Sequence, residues 1–182
     1  MTSYLSLLRG INVGGKSLKM DALRKIYEDR GAERVRTYIQ SGNVLFEFSS
    51  PEAGVKAFSD RVKSAILKQF KFEVPVLTLK TDRLKDVLNK NPFLKRSNID
   101  PSKLHVTFLA SKPNQALVAK LEALPAGKDE LCCIADRIYL YCPGGYGETK
   151  LSNQTIEKTL SVEATTRNWK TVNALWEMSQ NT

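Results

Sequence analysis

Apolar and polar positions alternate along this chain in two rhythms, one of period two and one of period three to four. Tyr4–Leu8 is an apolar run that ends in a glycine-rich loop, and Met20, Leu23, Ile26 and Tyr27 then recur at helical spacing until Gly31 stops them. The prediction is strand, loop, helix. Val35, Thr37 and Ile39 alternate with Arg34, Arg36 and Tyr38, a turn follows at Ser41-Gly42-Asn43, and Val44, Phe46 and Phe48 resume the alternation. This predicts a hairpin with Val35, Ile39, Phe46 and Phe48 on the core face. From Pro51 to Phe70 the set Val55, Phe58, Val62, Ile66 and Phe70 marks a second helix. Val74–Leu79 reads as an edge strand, because Pro75 cannot donate to a ladder. The order is βαββαβ, the split-βαβ plan.

The second half repeats this loosely. A connecting helix at Thr81–Asn89 and a loop carrying Pro92 and Pro101 lead to a strand at Leu104–Leu109 and a helix at Asn114–Leu124. Strands at Leu131–Ala135 and Arg137–Cys142 meet around Asp136, and two helices, Ser152–Leu160 and Asn168–Met178, close the chain. The pattern predicts an α+β protein of two similar subdomains, residues 1–80 and residues 81–182, the second one incomplete (βαββ), with helices on one face of each antiparallel sheet. A single larger sheet is the alternative.

Composition adds limits rather than a function. The 182 residues are 42% hydrophobic and 26% charged, an ordinary globular balance. No stretch approaches the roughly 20 apolar residues of a spanning helix, and the apolar run before Arg9 is too short for a secretory signal. A cytoplasmic protein with no membrane partner is expected. Cys132, Cys133 and Cys142 cannot pair completely and lack metal-ligand spacing, so buried free thiols are expected. The net charge of +9 points to anionic partners, a small molecule or nucleic acid, and is weighted to the first half, +6 over residues 1–80 and +3 over residues 81–182.

Three polar segments carry candidate chemistry. Gly10-Ile-Asn-Val-Gly14-Gly15-Lys16-Ser17, within the run Arg9 to Lys19, fits the text of a phosphate loop, in which glycines free backbone N–H groups for phosphate oxygens and the lysine reaches the outer phosphates. Its context argues against a nucleotide hydrolase: the helical periodicity starts only near Met20, and the next strands form a hairpin rather than a parallel crossover. The second segment is the turn around Gln40, Ser41, Gly42 and Asn43, whose amides offer donors and acceptors at one end of the sheet. The third is Ala164-Thr-Thr-Arg167-Asn168-Trp169-Lys170, read as the start of the last helix with Thr165 or Thr166 as N-cap. There Arg167 and Lys170 oppose the helix dipole unless an anion sits between them and the helix amides.

Catalytic and metal sets are poorly supplied. The one histidine, His105, lies inside a strand pattern with no motif around it, so no Cys-His or Ser-His pair, zinc site or calcium loop is assigned, and no cofactor.

With Arg9–Lys16, Tyr38–Val44, the glycine-rich stretch before Lys150 and Leu151, and Ala164–Val172 in view, the chain resembles a widespread bacterial family of uncharacterised proteins, the domain-of-unknown-function family numbered 1697. The resemblance implies two ferredoxin-like subdomains and makes the Lys16-Ser17 match to a phosphate loop accidental, since that family carries Asn after the lysine. It implies no activity.

Together these readings predict a protein that holds an anionic, phosphate-bearing ligand through Arg9, Asn12, Gly14, Gly15, Lys16, Lys150, Arg167 and Asn168, with Gln40 and Asn43 nearby. The alternatives are a nucleic-acid binder and an enzyme of unknown class at the same loop. An RNA-recognition sheet would leave one face open, showing Tyr38 among Arg36, Gln40 and Glu47. Convergence of Lys16 and Arg167 on one anion is the sharpest expectation. The first and third strands are expected to run parallel, which places the turn at Gln40–Asn43 at the opposite end of the sheet from the glycine loop.

Overall fold

The computed structural model describes residues 1–49 and 54–181. Among the described residues eight strands form two four-stranded antiparallel sheets, and six α-helices accompany them. The chain divides into two compact units: Met1–Lys85 together with the C-terminal stretch from Leu175, and Asp86–Ala174.

In the first unit β1 (Thr2–Leu8), α1 (Met20–Glu28), β2 (Glu33–Tyr38), β3 (Asn43–Phe48), α2 (Gly54–Phe70) and β4 (Val76–Lys80) follow in order, and the strands lie side by side as β2-β3-β1-β4. The edge position expected for the strand after Pro75 holds. The predicted start of the second helix at Pro51 lies outside the described residues. Tyr4, Leu8, Val44 and Phe46 point to one face, where α1 and α2 add Leu23, Ile26, Tyr27, Phe58, Val62 and Ile66. Aromatic rings dominate this core. Phe46 lies 5.0 Å from Phe58, 5.2 Å from Tyr27 and 5.7 Å from Tyr4, centroid to centroid.

Three expectations for this unit need correction. β1 pairs antiparallel with β3, so the β2–β3 turn and the loop after β1 leave the same end of the sheet. The separation expected from parallel strands does not arise, because β3 returns between β1 and β2, which share a direction. Ile39, assigned to the core face, sits in the turn with φ of 49° and is 52% exposed. The face turned from the helices is no open platform either, since Leu5, Leu7 and Leu45 on it are buried and Arg36 donates to the Asn181 carbonyl at 2.7 Å.

α3 (Arg83–Asn89), which begins in the first unit, leads to β5 (Leu104–Leu109), α4 (Gln115–Glu122), β6 (Glu130–Ile134), β7 (Arg137–Tyr141), α5 (Asn153–Leu160) and β8 (Ala164–Asn168) of the second, and α6 (Trp169–Gln180) starts in the second unit and ends in the first. The sheet order of the second unit is β6-β7-β5-β8. The second set of strands is therefore not the incomplete βαββ expected. Ala164-Thr-Thr-Arg-Asn168 is a fourth strand and not a helix start, because it can pair residue for residue with β5, from His105↔Asn168 to Leu109↔Ala164. The N-cap of α6 is consequently Asn168, whose Oδ1 accepts from the Thr171 amide at 2.7 Å, and not Thr165 or Thr166. Asn114 and Ser152 cap α4 and α5 in the same manner.

Both units thread a line of buried and half-buried hydroxyls through the helix-facing side of the sheet. In the first, Ser6 and Thr78 are opposite partners on β1 and β4, with oxygens 2.7 Å apart, and Ser59 of α2 donates to Thr78 at 2.7 Å. In the second, Thr107 and Thr166 are opposite partners on β5 and β8 at 2.7 Å, and Thr166 donates to Asn153 Oδ1 of α5 at 2.8 Å. Each hydroxyl answers the other, so polar atoms inside an apolar layer are satisfied.

Candidate functional site

The end of the first sheet where β1 stops carries an eleven-residue loop, Arg9 to Lys19, and the hairpin turn beside it. The Leu8 amide donates to the Gly42 carbonyl at 2.8 Å, and the Arg9 amide to the Pro75 carbonyl at 3.2 Å. Gly42, with φ of 80°, is packed so tightly that a Cβ there would sit 2.7 Å from Leu8 Cβ and 2.8 Å from Ile11 Cδ1. Only glycine fits this approach.

Asn12 ties the loop to the turn. Its backbone is left-handed, with φ of 56°, its Oδ1 accepts from the Leu18 amide at 2.8 Å, and its Nδ2 donates to the carbonyls of Leu18 at 3.1 Å and Gln40 at 2.8 Å. Ile11 and Leu18 on either side are buried and anchor the loop, so its tip, Val13 to Gly15, projects into solvent. Gly14 and Gly15 have φ of 56° and 83°, and the space where their Cβ atoms would stand is open. Among the described residues no hydrogen bond engages the Val13, Gly14 or Gly15 amides, whereas the neighbouring Lys16 and Ser17 amides bond back to Val13 and Gly15 carbonyls. Lys16 donates to the Glu73 carbonyl at 3.3 Å and lies 5.8 Å from the Phe72 ring centre. No helix N-terminus lies under the glycines, since α1 begins at Met20, and both neighbours of β1 are antiparallel, unlike a nucleotide-hydrolase phosphate loop.

The structure thus gathers Arg9, Asn12, Gly14, Gly15, Lys16, Gln40 and Asn43 at one end of the first sheet. They differ in availability. The Gln40 side chain is exposed, but Asn43 is buried, its Nδ2 donating to the Tyr38 carbonyl at 3.0 Å and to Ser41 Oγ at 2.9 Å, which makes it the internal brace of the turn.

The other candidates belong to the second unit. Arg167, on β8, is buried and donates to the Thr166 carbonyl at 3.0 Å; burial pulls its guanidinium pKa down to about 10, against a smaller upward push from Tyr146. Tyr146, in the glycine-rich stretch after β7, stacks on His105 with ring centres 4.8 Å apart. His105 holds a depressed pKa, first through burial, with its Nδ1 3.2 Å from the Lys103 carbonyl. Asn168 is spent on the α6 cap, and Lys150 is exposed. The contact between Tyr146 and His105 leaves no sequence signal beyond the polar His105 within the largely apolar strand β5.

The three cysteines are free thiols, Cys142 buried and pushed up to about 11 by that burial, Cys132 and Cys133 half-buried rather than buried as expected. No helix among the described residues is long and apolar enough to cross a membrane.

A family model described as "Protein of unknown function (DUF1697)" matches residues 1–139. The chain belongs to the DUF1697 family. The match includes both the glycine loop and the β2–β3 turn, while the motifs at Gly147–Leu151 and Ala164–Val172 lie beyond it. Among solved structures, the conserved bacterial protein SP0830 from Streptococcus pneumoniae superposes with a TM-score of 0.74 at 23% identity, covering 97% of this chain and 98% of that one. At that identity the likeness shows a common fold for this DUF1697 chain. A search of curated proteins returned no match.

Proposed function

We propose that the glycine-rich loop binds a phosphate-bearing anion. The observation that carries this reading is the pair of amides at Gly14 and Gly15, in exposed residues with left-handed backbone and followed in the loop by Lys16. Successive N–H groups in such a conformation form a concavity of positive partial charge that suits phosphate oxygens. Asn12 and Arg9 hold the loop in place, and Gln40 borders it. Lys150, Arg167 and Asn168 enter the reading as a separate set on the second unit.

Titration with inorganic phosphate and pyrophosphate, followed by glycine amide shifts in NMR, tests it. Gly14 and Gly15 resonances are expected to move saturably, and Lys16→Ala to weaken the response at least tenfold. Shifts that do not saturate, or that survive in Lys16→Ala, remove the site. Lys150→Ala separates the second set, and the same titration with RNA at low salt tests the nucleic-acid reading. Magnesium-dependent ATP or GTP turnover is not expected, with or without Lys16.

We further infer that the chain is a tandem of two ferredoxin-like subdomains joined near residue 80, in a cytoplasmic bacterial protein. The equal strand orders and the matching hydroxyl lines support this reading.

A further inference from the structure

We propose that β6, the outer strand of the second unit's sheet, pairs antiparallel with β6 of a second copy of this chain, joining two β6-β7-β5-β8 sheets into one of eight strands. β6 hydrogen-bonds to β7 on one side and ends its sheet on the other. The turn to β7 holds two residues, Ala135 and Asp136, so Ile134 and Arg137 close the ladder as a hydrogen-bonded pair. Alternation then directs the backbone groups of Cys132 toward β7 and those of Leu131 and Cys133 outward. Among the described residues no hydrogen bond engages the Leu131 or Cys133 backbone from that outer side.

The other three sheet edges each carry a feature that discourages such pairing. β2 has a register shift, a left-handed Arg34 and the charge of Arg36; β4 starts directly after Pro75 and ends on Lys80; β8 places Arg167 within its five residues. β6 has none of these. Its register with β7 is unbroken, and Leu131, Cys132, Cys133 and Ile134 are all partly exposed. Its one charge, Glu130, stands at the first position and accepts from Arg96 Nη1 at 2.8 Å.

A second copy is favoured over any other strand because the segment complements itself. With the two-fold axis at Cys132, Leu131 falls opposite the second copy's Cys133 and exchanges both backbone hydrogen bonds with it, twice over by symmetry. Leu131 and Cys133 already pack against the core of their own unit, so the seam continues an apolar layer. Lys128, exposed two residues before β6, falls opposite the second copy's Asp136, two residues after it, and this attraction is made at both ends. The two Cys132 residues face each other as a non-hydrogen-bonded pair with Cα atoms about 4.5 Å apart, a separation that a disulfide spans. A ladder of five residues is a small interface, so the dimer is weak and reversible.

Sedimentation velocity of the reduced protein is expected to show monomer giving way to dimer as concentration rises. Diamide, an oxidant that takes two electrons and two protons from a pair of thiols, is expected to trap that dimer as a disulfide in the wild type, Cys133→Ser and Cys142→Ser, but not in Cys132→Ser. Cys132→Lys sets two ammonium groups face to face across the seam and is expected to weaken association at least tenfold. Lys128→Glu, in an exposed turn, is expected to weaken it several-fold while circular dichroism shows the fold retained, and Asp136→Lys added to the same chain is expected to restore it. A protein that stays monomeric up to about 1 mM, a disulfide formed through Cys133, or association unchanged in Cys132→Lys or in Lys128→Glu overturns the proposal. The first of these is also the outcome if the strand of another protein, and not a second copy, occupies the edge.

Discussion

The two units of this protein share a strand order and differ in what they build on it. The first packs Tyr4, Tyr27, Phe46 and Phe58 under a seventeen-residue α2, while the second packs Ile138, Leu140, Leu121 and Ile156 under an eight-residue α5. At the end of the sheet where the central strand stops, the first carries an eleven-residue glycine loop and a braced turn. The second passes from β5 to α4 within Ala110–Asn114 and joins β6 to β7 through Ala135 and Asp136 alone. The lesson is that the scaffold constrains the interior hydroxyl line in both halves, while the exposed, left-handed glycines of the first half stand where a loop has lengthened. Loops positioned by a rigid sheet are where function is usually found.

The sharpest way to break this comparison is at the two hairpin turns. Gly42→Ala forces a Cβ against Leu8 and Ile11 in a left-handed backbone, and a loss of about 2–4 kcal/mol is expected in chemical denaturation. The opposite change in the other unit, Ala135→Gly, relieves a φ of 56° and is expected to be neutral or to stabilise by up to about 1 kcal/mol. Losses in both would mean that the second turn is as tightly packed as the first.

A smaller effect tests likeness. Thr78→Val and Thr166→Val each remove the half-buried middle hydroxyl of such a line and leave its partners unmet, about 1–3 kcal/mol apiece. Equal losses by denaturation support equivalent roles, and a difference well beyond that range separates the halves.

The smallest effect is a pH slope confined to one half. Burial holds the His105 pKa below its ordinary 6.5, so the unfolded chain takes up a proton first as pH falls. Stability is therefore expected to decline as pH drops below about 6.5 and to level off below the depressed folded value. His105→Gln is expected to flatten that slope, which denaturation across pH 5 to 8 measures; Tyr4 holds the register-equivalent place in the first sheet.

Much of this architecture is legible in the sequence wherever apolar residues set a period. Strands β1, β3, β5 and β7 and the helices through α5 fall close to their predicted places for that reason. Where polar residues are buried the pattern goes silent. Ala164–Asn168 shows no apolar alternation, yet it is a strand, because β5 has an open side and Thr165 and Thr166 are β-branched. Of the site, the glycine loop and the turn can be picked out from residue types, but not their attachment through Asn12 to Gln40, which depends on β3 running antiparallel to β1. The ion pair of Arg34 with Glu47 left no trace in the sequence, since a register shift in the β2–β3 ladder, and no motif, accompanies it.

The division of α6 bears on the order in which the protein is made. Its first residues, Trp169 to Ala174, belong to the second unit, and Leu175 onward to the first, where Arg36 holds the Asn181 carbonyl. A ribosome releases the strands of the first unit early, but the segment from Leu175 that completes that unit follows only after the second unit. The second unit is a single uninterrupted stretch and has all of its parts by Ala174. During synthesis the first unit therefore lacks Leu175–Asn181 until the whole of the second unit has been made, and the half begun first is completed after the other.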